Sequence, residues 1–220
     1  MKNLNQLLLD FDYEQNFKDD DFYVGKSNFY PFELINKWPI WEKKFLNIIG
    51  EKFSGKTHLT NIFLKKFNGI RVESSLLTDQ NLRAIKPYQN VILEDLNLNV
   101  NEKLIYTLFN IIDQDNKFIV ITSTEPIAEI NFKLEDLKSR TKNCLLAKIE
   151  NPDDELMFAL ILKNLCDRQI SLHKRLIDFI IKRVDRSYGK IFEFIYKIDE
   201  ISLKKKKSID FKIINEALEE

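Results

Sequence analysis

Gly50-Glu51-Lys52-Phe53-Ser54-Gly55-Lys56-Thr57 constrains this chain more than any other stretch. It fits G-x-x-x-x-G-K-[ST] at every fixed position, between a short apolar run, Phe45 to Ile49, and a helical one, His58 to Leu64. Strand, loop and helix in that order form the setting in which a phosphate-binding loop works. Glycine lets the backbone curl with positive φ, so that successive N–H groups converge on a β-phosphate, and the helix that starts there adds its partial positive end. Lys56 is placed for the β- and γ-phosphates and the Thr57 hydroxyl for Mg²⁺. Chance alone produces such a match in roughly one chain in a hundred of this length at average glycine usage. This chain puts two of its 5 glycines here. A bound nucleotide, ADP or ATP with Mg²⁺, is the expectation.

Composition bounds the rest. With 220 residues, 44% hydrophobic and 31% charged, the chain has room for one large domain, or a core domain and a smaller one. Its 34 basic and 34 acidic residues balance, so no global charge draws it to nucleic acid. Cys144 and Cys166 lack CxxC spacing and are expected as buried free thiols in a reducing compartment. The run Leu7 to Leu9 is too short for a signal peptide, and no apolar run reaches membrane-spanning length, so a cytoplasmic protein without a membrane partner is expected.

Residues 1–21 are polar apart from Gln6-Leu7-Leu8-Leu9-Asp10-Phe11, which predicts a flexible N-terminal arm. The leucine cluster either folds back on its own domain or serves as a docking peptide. Gln6, Leu9 and Phe11 fit Q-x-x-L-x-F, which resembles the bacterial sliding-clamp-binding motif. Gly25 to Asn28 then reads as a turn into a helix capped by Ser27 or Asn28, running through Ile35 and ended by Pro39. Trp38 and Trp41 read as packing residues.

Beyond the loop and its helix (45–67), Gly69 to Ser74 reads as a strand and Leu76 to Ile85 as weakly helical. Val91 to Asp95 is a continuous apolar run ending in two carboxylates. Such a run suits a parallel strand buried on both faces, and acids at its C-terminal end fall at the rim where ligands bind. Glu94 is placed to hold Mg²⁺ and Asp95 to orient or deprotonate a water. Glu102 to Asp113 predicts an amphipathic helix. Lys117 to Thr124 predicts a second buried strand, ending in hydroxyls that either cap the strand or face a γ-phosphate. Leu134 to Arg140 reads as a short helix and Asn143 to Ile149 as a strand. Alternating strands and helices argue an α/β fold with a parallel-sheet three-layer core over residues 22–151.

From residue 152 to 220 only helices are predicted: Asp153 to Arg168, Leu172 to Val184, Tyr188 to Leu203 and Asp210 to Leu218. This segment reads as a small all-helical lid domain. The four-lysine run Lys204 to Lys207 reads as a solvated loop between helices.

Taken together, these boxes resemble the AAA+ P-loop NTPase domain of the DnaA initiator family over roughly residues 22–203. Phe22 to Asn28 resembles the family's first box, Gly-Lys-Thr-His-Leu at 55–59 its loop ending, and Leu-x-Asp-Leu-x-Ser-Arg at 134–140 its arginine-finger box. The resemblance implies nucleotide contacts from Val24, Gly50, Ser54, Gly55, Lys56, Thr57 and His58, and an arginine finger, Arg140, acting in trans. In this chain glutamate, Glu94, stands where the family carries its first acid. Gly189 stands at the place of its sensor-2 arginine, with Lys190 beside it as the substitute. Both departures imply weak intrinsic ATPase activity.

Residues after the helical lid leave no room for a DNA-reading helix-turn-helix domain, so no direct sequence-specific DNA binding is expected. The whole is similar to the Hda branch, regulators that bind ADP, dock on the sliding clamp and trigger ATP hydrolysis by a DnaA-type initiator. Subunit-to-subunit finger action also implies assembly with copies of itself. Two rival readings are an autonomous AAA+ ATPase of helicase-loader type and a P-loop kinase of small acceptors. The helical C-terminal part argues against the kinase, whose lids lie inside the sheet.

Overall fold

The computed structural model describes residues 22–219. Among them, five strands form one sheet: β1 (Phe45–Ile49), β2 (Gly69–Glu73), β3 (Asn90–Glu94), β4 (Phe118–Ser123) and β5 (Leu145–Lys148). Their order across the sheet is β2-β3-β4-β1-β5, and every neighbouring pair is parallel. Strand β4 therefore stands between the strand that feeds the phosphate loop and the strand that ends in two acids. In register, Ile49 pairs with Ser123 and Glu73 with Glu94, so the functional ends of the strands share one edge.

Side-chain alternation at period two sorts the strands' residues onto two faces. Phe45, Val91, Leu93, Ile119 and Ile121 join a core with α3 (Asp79–Ala84), α4 (Glu102–Gln114) and α5 (Glu135–Thr141). Leu46, Ile48, Ile92 and Val120 face the other way, onto α1 (Phe29–Asn36) and α2 (Lys56–Lys66). The result is a three-layer α/β arrangement. Helix α4 makes its contribution with Ile105, Leu108, Phe109 and Ile112, one stripe at helical spacing that is fully buried.

A rigid aromatic cluster closes the α2 side. Trp38 packs on Phe67, the C-cap of α2, with ring centroids 4.7 Å apart, and both Trp38 and Trp41 lie edge-on to Phe118 of β4 at 5.8 Å. The Trp41 indole donates to Leu34 O at 2.7 Å, which satisfies its polar edge.

The C-terminal part is helical: α6 (Asp154–Asp167), α7 (Lys174–Ile181), α8 (Tyr188–Lys205) and α9 (Phe211–Glu219). It has its own core, in which Ile161, Ile177, Ile180, Ile195, Ile198 and Ile214 are almost fully buried. Two of its residues, Leu156 and Tyr188, face instead into the core of the α/β part, and the Tyr188 hydroxyl donates to Glu150 O at 3.0 Å. Asp153 caps α6 by accepting from Leu156 N at 2.9 Å, as its position predicts.

Several local expectations are corrected. Helix α1 ends at Asn36 rather than at Pro39, because the Lys37 N–H already turns back to Glu33 O and Leu34 O. Ser74–Leu76 forms a 3-10 turn separate from α3, since Thr78 is extended and serves as the N-cap of α3 in a capping box with Asn81. Lys204 and Lys205 belong to α8, and the helix closes only at Lys206, which is left-handed with φ 52°. Cys166 is exposed on α6 rather than buried. Cys144 is half-buried, and desolvation pushes its thiol up to about 12. No described helix is long and apolar enough to cross a membrane.

Candidate functional site

The phosphate loop leaves β1 and turns into α2 through two left-handed residues, Phe53 (φ 68°) and Gly55 (φ 93°). Gly55 suits its place because only glycine takes that conformation without strain. Gly50 suits its place for space: a Cβ there would sit 2.6 Å from Ser54 Oγ. The first-turn N–H groups of α2 have no acceptor inside the helix, so they and the helix dipole face the loop's hollow. Ser54 Oγ is buried and makes no hydrogen bond among the described residues. A buried hydroxyl of that kind calls for an external partner.

Lys56 is almost wholly buried, and its ammonium donates to Gly50 O at 2.8 Å and Glu51 O at 2.9 Å. Burial lowers its pKa below the ordinary 10.5, against the pull of the Asp95, Glu94 and Glu51 carboxylates. The loop and α2 line a cavity of about 420 Å³ with Lys56, Thr57, His58 and Asp95. The opposite wall comes from Phe22, Leu156, Leu160 and Ile191. Phe22 stacks on Phe32 at 5.8 Å and meets the His58 ring edge-on at 5.1 Å. Asn28 shapes the approach, accepting from Gly25 N at 2.8 Å and donating to Tyr23 O at 2.9 Å. A polar hollow built for anionic oxygen thus continues into an aromatic and aliphatic slot of a size that suits a nucleotide.

The two acids that end β3 go separate ways. Asp95 is left-handed (φ 52°), exposed, and lines the cavity. Glu94 is buried, and both its oxygens are engaged within the chain. Oε2 accepts from Thr122 Oγ1 at 2.7 Å. Oε1 accepts from Thr60 Oγ1 and lies 3.5 Å from Arg71 Nε. Thr122 Oγ1 in turn accepts from Asp95 N at 2.9 Å. The longer glutamate arm carries the carboxylate past Thr57 to Thr60, nearly one turn along α2. Its charge is balanced there by arginine, so Glu94 does not fit the metal role expected of it. Of the residues expected to ligate, Thr57 remains at the cavity, with Asp95 beside it and Asp167 on the helical side of the same lining. Among the described residues, no group of three or more acidic, histidine or cysteine side chains could hold a metal alone. A cation here would need phosphate oxygens as further ligands.

The other expected residues are placed as follows. Gly50 lies under the cavity, its carbonyl capped by Lys56. Val24 is half-buried and does not line the cavity. The structure does not bring Lys190 to the cavity; its ammonium pairs with Glu193 at 3.0 Å on the exposed side of α8. Arg140, at the end of α5, is held by Asp113 of α4 at 2.5 Å, with its guanidinium 5.6 Å from the centroid of the Tyr106 ring. Gln6, Leu9 and Phe11 lie outside the described residues. Sequence reasoning missed the α6 wall, although Leu156, Leu160 and Lys163 recur at the i, i+4, i+7 spacing of one helix face. It also missed Arg71 and Phe53, for which the sequence carries no local signal.

No family model matches the chain. The chain is 25% identical over 228 residues to the chromosomal replication initiator protein DnaA of Thermoanaerobacter sp., covering 91% of this chain and 51% of that protein. It is 28% identical over 198 residues to DnaA of Helicobacter hepaticus, covering 78% of this chain and 42% of that one. It thus spans about half the length of these curated relatives. Among solved structures, domain III of the Thermotoga maritima initiator DnaA superimposes with a TM-score of 0.72 at 19% identity, covering 94% of this chain and 97% of that one. AMPPCP-bound DnaA from Aquifex aeolicus gives 0.69 at 20% identity, covering 94% and 71%. The fold is that of an AAA+ module, and the sequence is similar to that of DnaA over most of this chain.

Proposed function

We propose, with a DnaA-like AAA+ module as the premise, that this chain is a nucleotide-binding regulator of chromosomal replication initiation. The observation that carries the nucleotide site is the loop itself. An orphaned Ser54 hydroxyl, unsatisfied helix N–H groups and the Lys56 ammonium converge on one hollow that opens into an apolar slot. An adenine nucleotide suits that slot, and AMPPCP is the ligand named for the Aquifex aeolicus initiator that shares the fold. Ser54, Lys56 and Thr57 hold the phosphates, and Phe22 and Leu156 bound the slot. A magnesium ion, when bound with the phosphates, neutralises charge on their oxygens. Thr57 and Asp95 are the side chains placed to orient it.

Internal engagement of Glu94 supports a site that holds its nucleotide, in our reading ADP, rather than turning it over. The regulatory action is then directed at a partner. Arg140 does not line the chain's own cavity, which supports a role on a nucleotide held by a DnaA-type initiator, or by another copy of this chain. Arginine suits that role because it stays charged and forked. To reach a partner's phosphate, Arg140 must exchange Asp113 for it. The sliding clamp is the proposed tether, through Gln6, Leu9 and Phe11. Exposed Asp95 favours the second reading, an autonomous helicase-loader-like ATPase, because it is a free-standing acid beside the phosphate hollow.

The test follows initiator-bound ATP converted to ADP on a clamp-loaded DNA, with wild type and Arg140→Ala side by side. We expect the wild type to accelerate conversion, and the variant to lose about 10³-fold or more, the lower end of what a finger supplied in trans contributes. Equal conversion by both proteins discards Arg140 as the finger.

A further inference from the structure

The motif leaves Glu51 free to be any residue, yet its side chain ties the phosphate loop to α8. The Glu51 carboxylate accepts from the Ser187 hydroxyl, from Tyr188 N at 2.9 Å and from Gly189 N at 3.3 Å. These donors are the N-cap and first turn of α8, so a negative charge sits at that helix's positive end. Two residues further along the loop, left-handed Phe53 stacks on Phe192 of α8, with centroids 4.5 Å apart and planes 13° from parallel. A Cβ at Gly189 would stand 3.1 Å from Glu51 Oε1, so the approach suits a residue without one. Two fastenings, one of hydrogen bonds to a carboxylate and one aromatic, therefore join the same loop to the same helix end.

Helix α8 also lines the cavity, through Tyr188, Ile191 and Phe192. None of these carries charge, and Lys190 is turned outward to Glu193. We infer that Glu51 is a positioning residue that makes α8 follow the occupancy of the phosphate loop without counting phosphates. Filling the loop orders its backbone, and the loop, through Glu51 and Phe53, orders the start of α8. A diphosphate achieves this as well as a triphosphate, because no α8 side chain reaches toward a third phosphate. This inference rests on the nucleotide reading above.

The experiment is hydrogen exchange on the full chain, with ADP and separately with AMPPCP, read at two segments: the loop (50–57) and the start of α8 (187–192). In the wild type, both ligands should slow exchange at both segments, by about tenfold or more and by the same factor for the two ligands. In Glu51→Ala, ADP should still protect the loop but no longer protect α8. Glu51→Gln, which keeps an acceptor for the two N–H groups, should restore part of the α8 protection. Phe192→Ala, which leaves the cap in place but also removes part of the cavity lining, serves as a second lesion read at saturating ligand, and should reduce protection at α8 more than at the loop. Unchanged α8 protection in Glu51→Ala overturns the inference, as does stronger α8 protection by AMPPCP than by ADP. Loop protection without α8 protection in the wild type overturns it while sparing the nucleotide site. Absence of protection at the loop itself removes the nucleotide site and this inference together.

Discussion

On the sheet side of the cavity, the wall is made of backbone N–H groups, one buried ammonium and one orphaned hydroxyl, held by strands whose residues are almost all inaccessible. On the helical side, it is made of Leu156, Ala159, Leu160 and Ile191, projecting from two helices whose own core lies behind them. The first wall is defined by direction: each donor must point at one spot. The apolar part of the second is defined only by shape, which many residues satisfy, and Lys163, Asn164, Asp167 and Arg168 lie beside it in the same lining. Directional chemistry therefore leaves a fixed motif in the sequence, whereas a shape-defined wall leaves only helical spacing.

Substitutions on the two walls sharpen that contrast. Lys56→Ala should weaken ADP binding most, by about 10- to 150-fold, since a hydrogen bond from a charged group is worth about 1.5–3 kcal/mol. Titration calorimetry measures it, and an unchanged affinity would remove the sheet wall from the site. Leu160→Ala on the helical wall should reduce affinity only about fivefold, the effect of roughly 1 kcal/mol of apolar contact at a half-buried position. If the two losses came out equal, the distinction between directional and shape-defined walls would not hold.

Alkaline pH probes the sheet wall through its one buried ammonium, and the Lys56→Arg variant separates it from Lys163 across the cavity. Since burial lowers the Lys56 pKa below 10.5, ADP affinity should fall as pH rises through that depressed value, and Lys56→Arg should remove the fall. Stability moves the other way at this residue. The folded chain binds fewer protons here than the unfolded chain, so the lysine's contribution rises as pH climbs toward 10.5. An affinity that stays flat across that range in the wild type would contradict the placement of Lys56.

The smallest expected effect concerns the two thiols, one in each part of the molecule. Cys166 on α6 is exposed and should react with an alkylating reagent at neutral pH. Cys144, pushed up to about 12, should remain unmodified until the chain unfolds. Mass spectrometry after a short pulse reads both at once.

Much of this architecture was legible in the sequence. The continuous apolar run at 91–94 reads correctly as a doubly buried parallel strand, and the helix read from His58 begins two residues earlier, at Lys56 inside the motif. What the sequence could not show is where long side chains turn. Glu94 reads as a metal-side acid from its place at the strand's end. Its partners Thr60, Arg71 and Thr122 come from three other elements, brought in by the β2–β3 register and the turn of α2. Lys190 sits beside the expected position but follows Glu193, its neighbour at i+3, out to solvent. Arg140 is found at the end of its helix as expected, yet its hold on Asp113 is a contact across 27 residues of sequence that no local pattern announces.

The aromatic cluster behind α2 gives the molecule an optical asymmetry. Its 2 tryptophans, Trp38 and Trp41, both pack against Phe63 and Phe118 in the α/β core, and Trp38 also against Phe67, while α6 to α9 contain none. Tryptophan emission, excited where the α8 tyrosines do not absorb, is therefore a private channel of the sheet: it dims or shifts when that core loosens and stays silent when the helices alone come apart. Circular dichroism, which sums over every helix, listens to both. A denaturation followed in the two signals together reports whether the parts melt as one body or in sequence, with no dye or label attached to the chain.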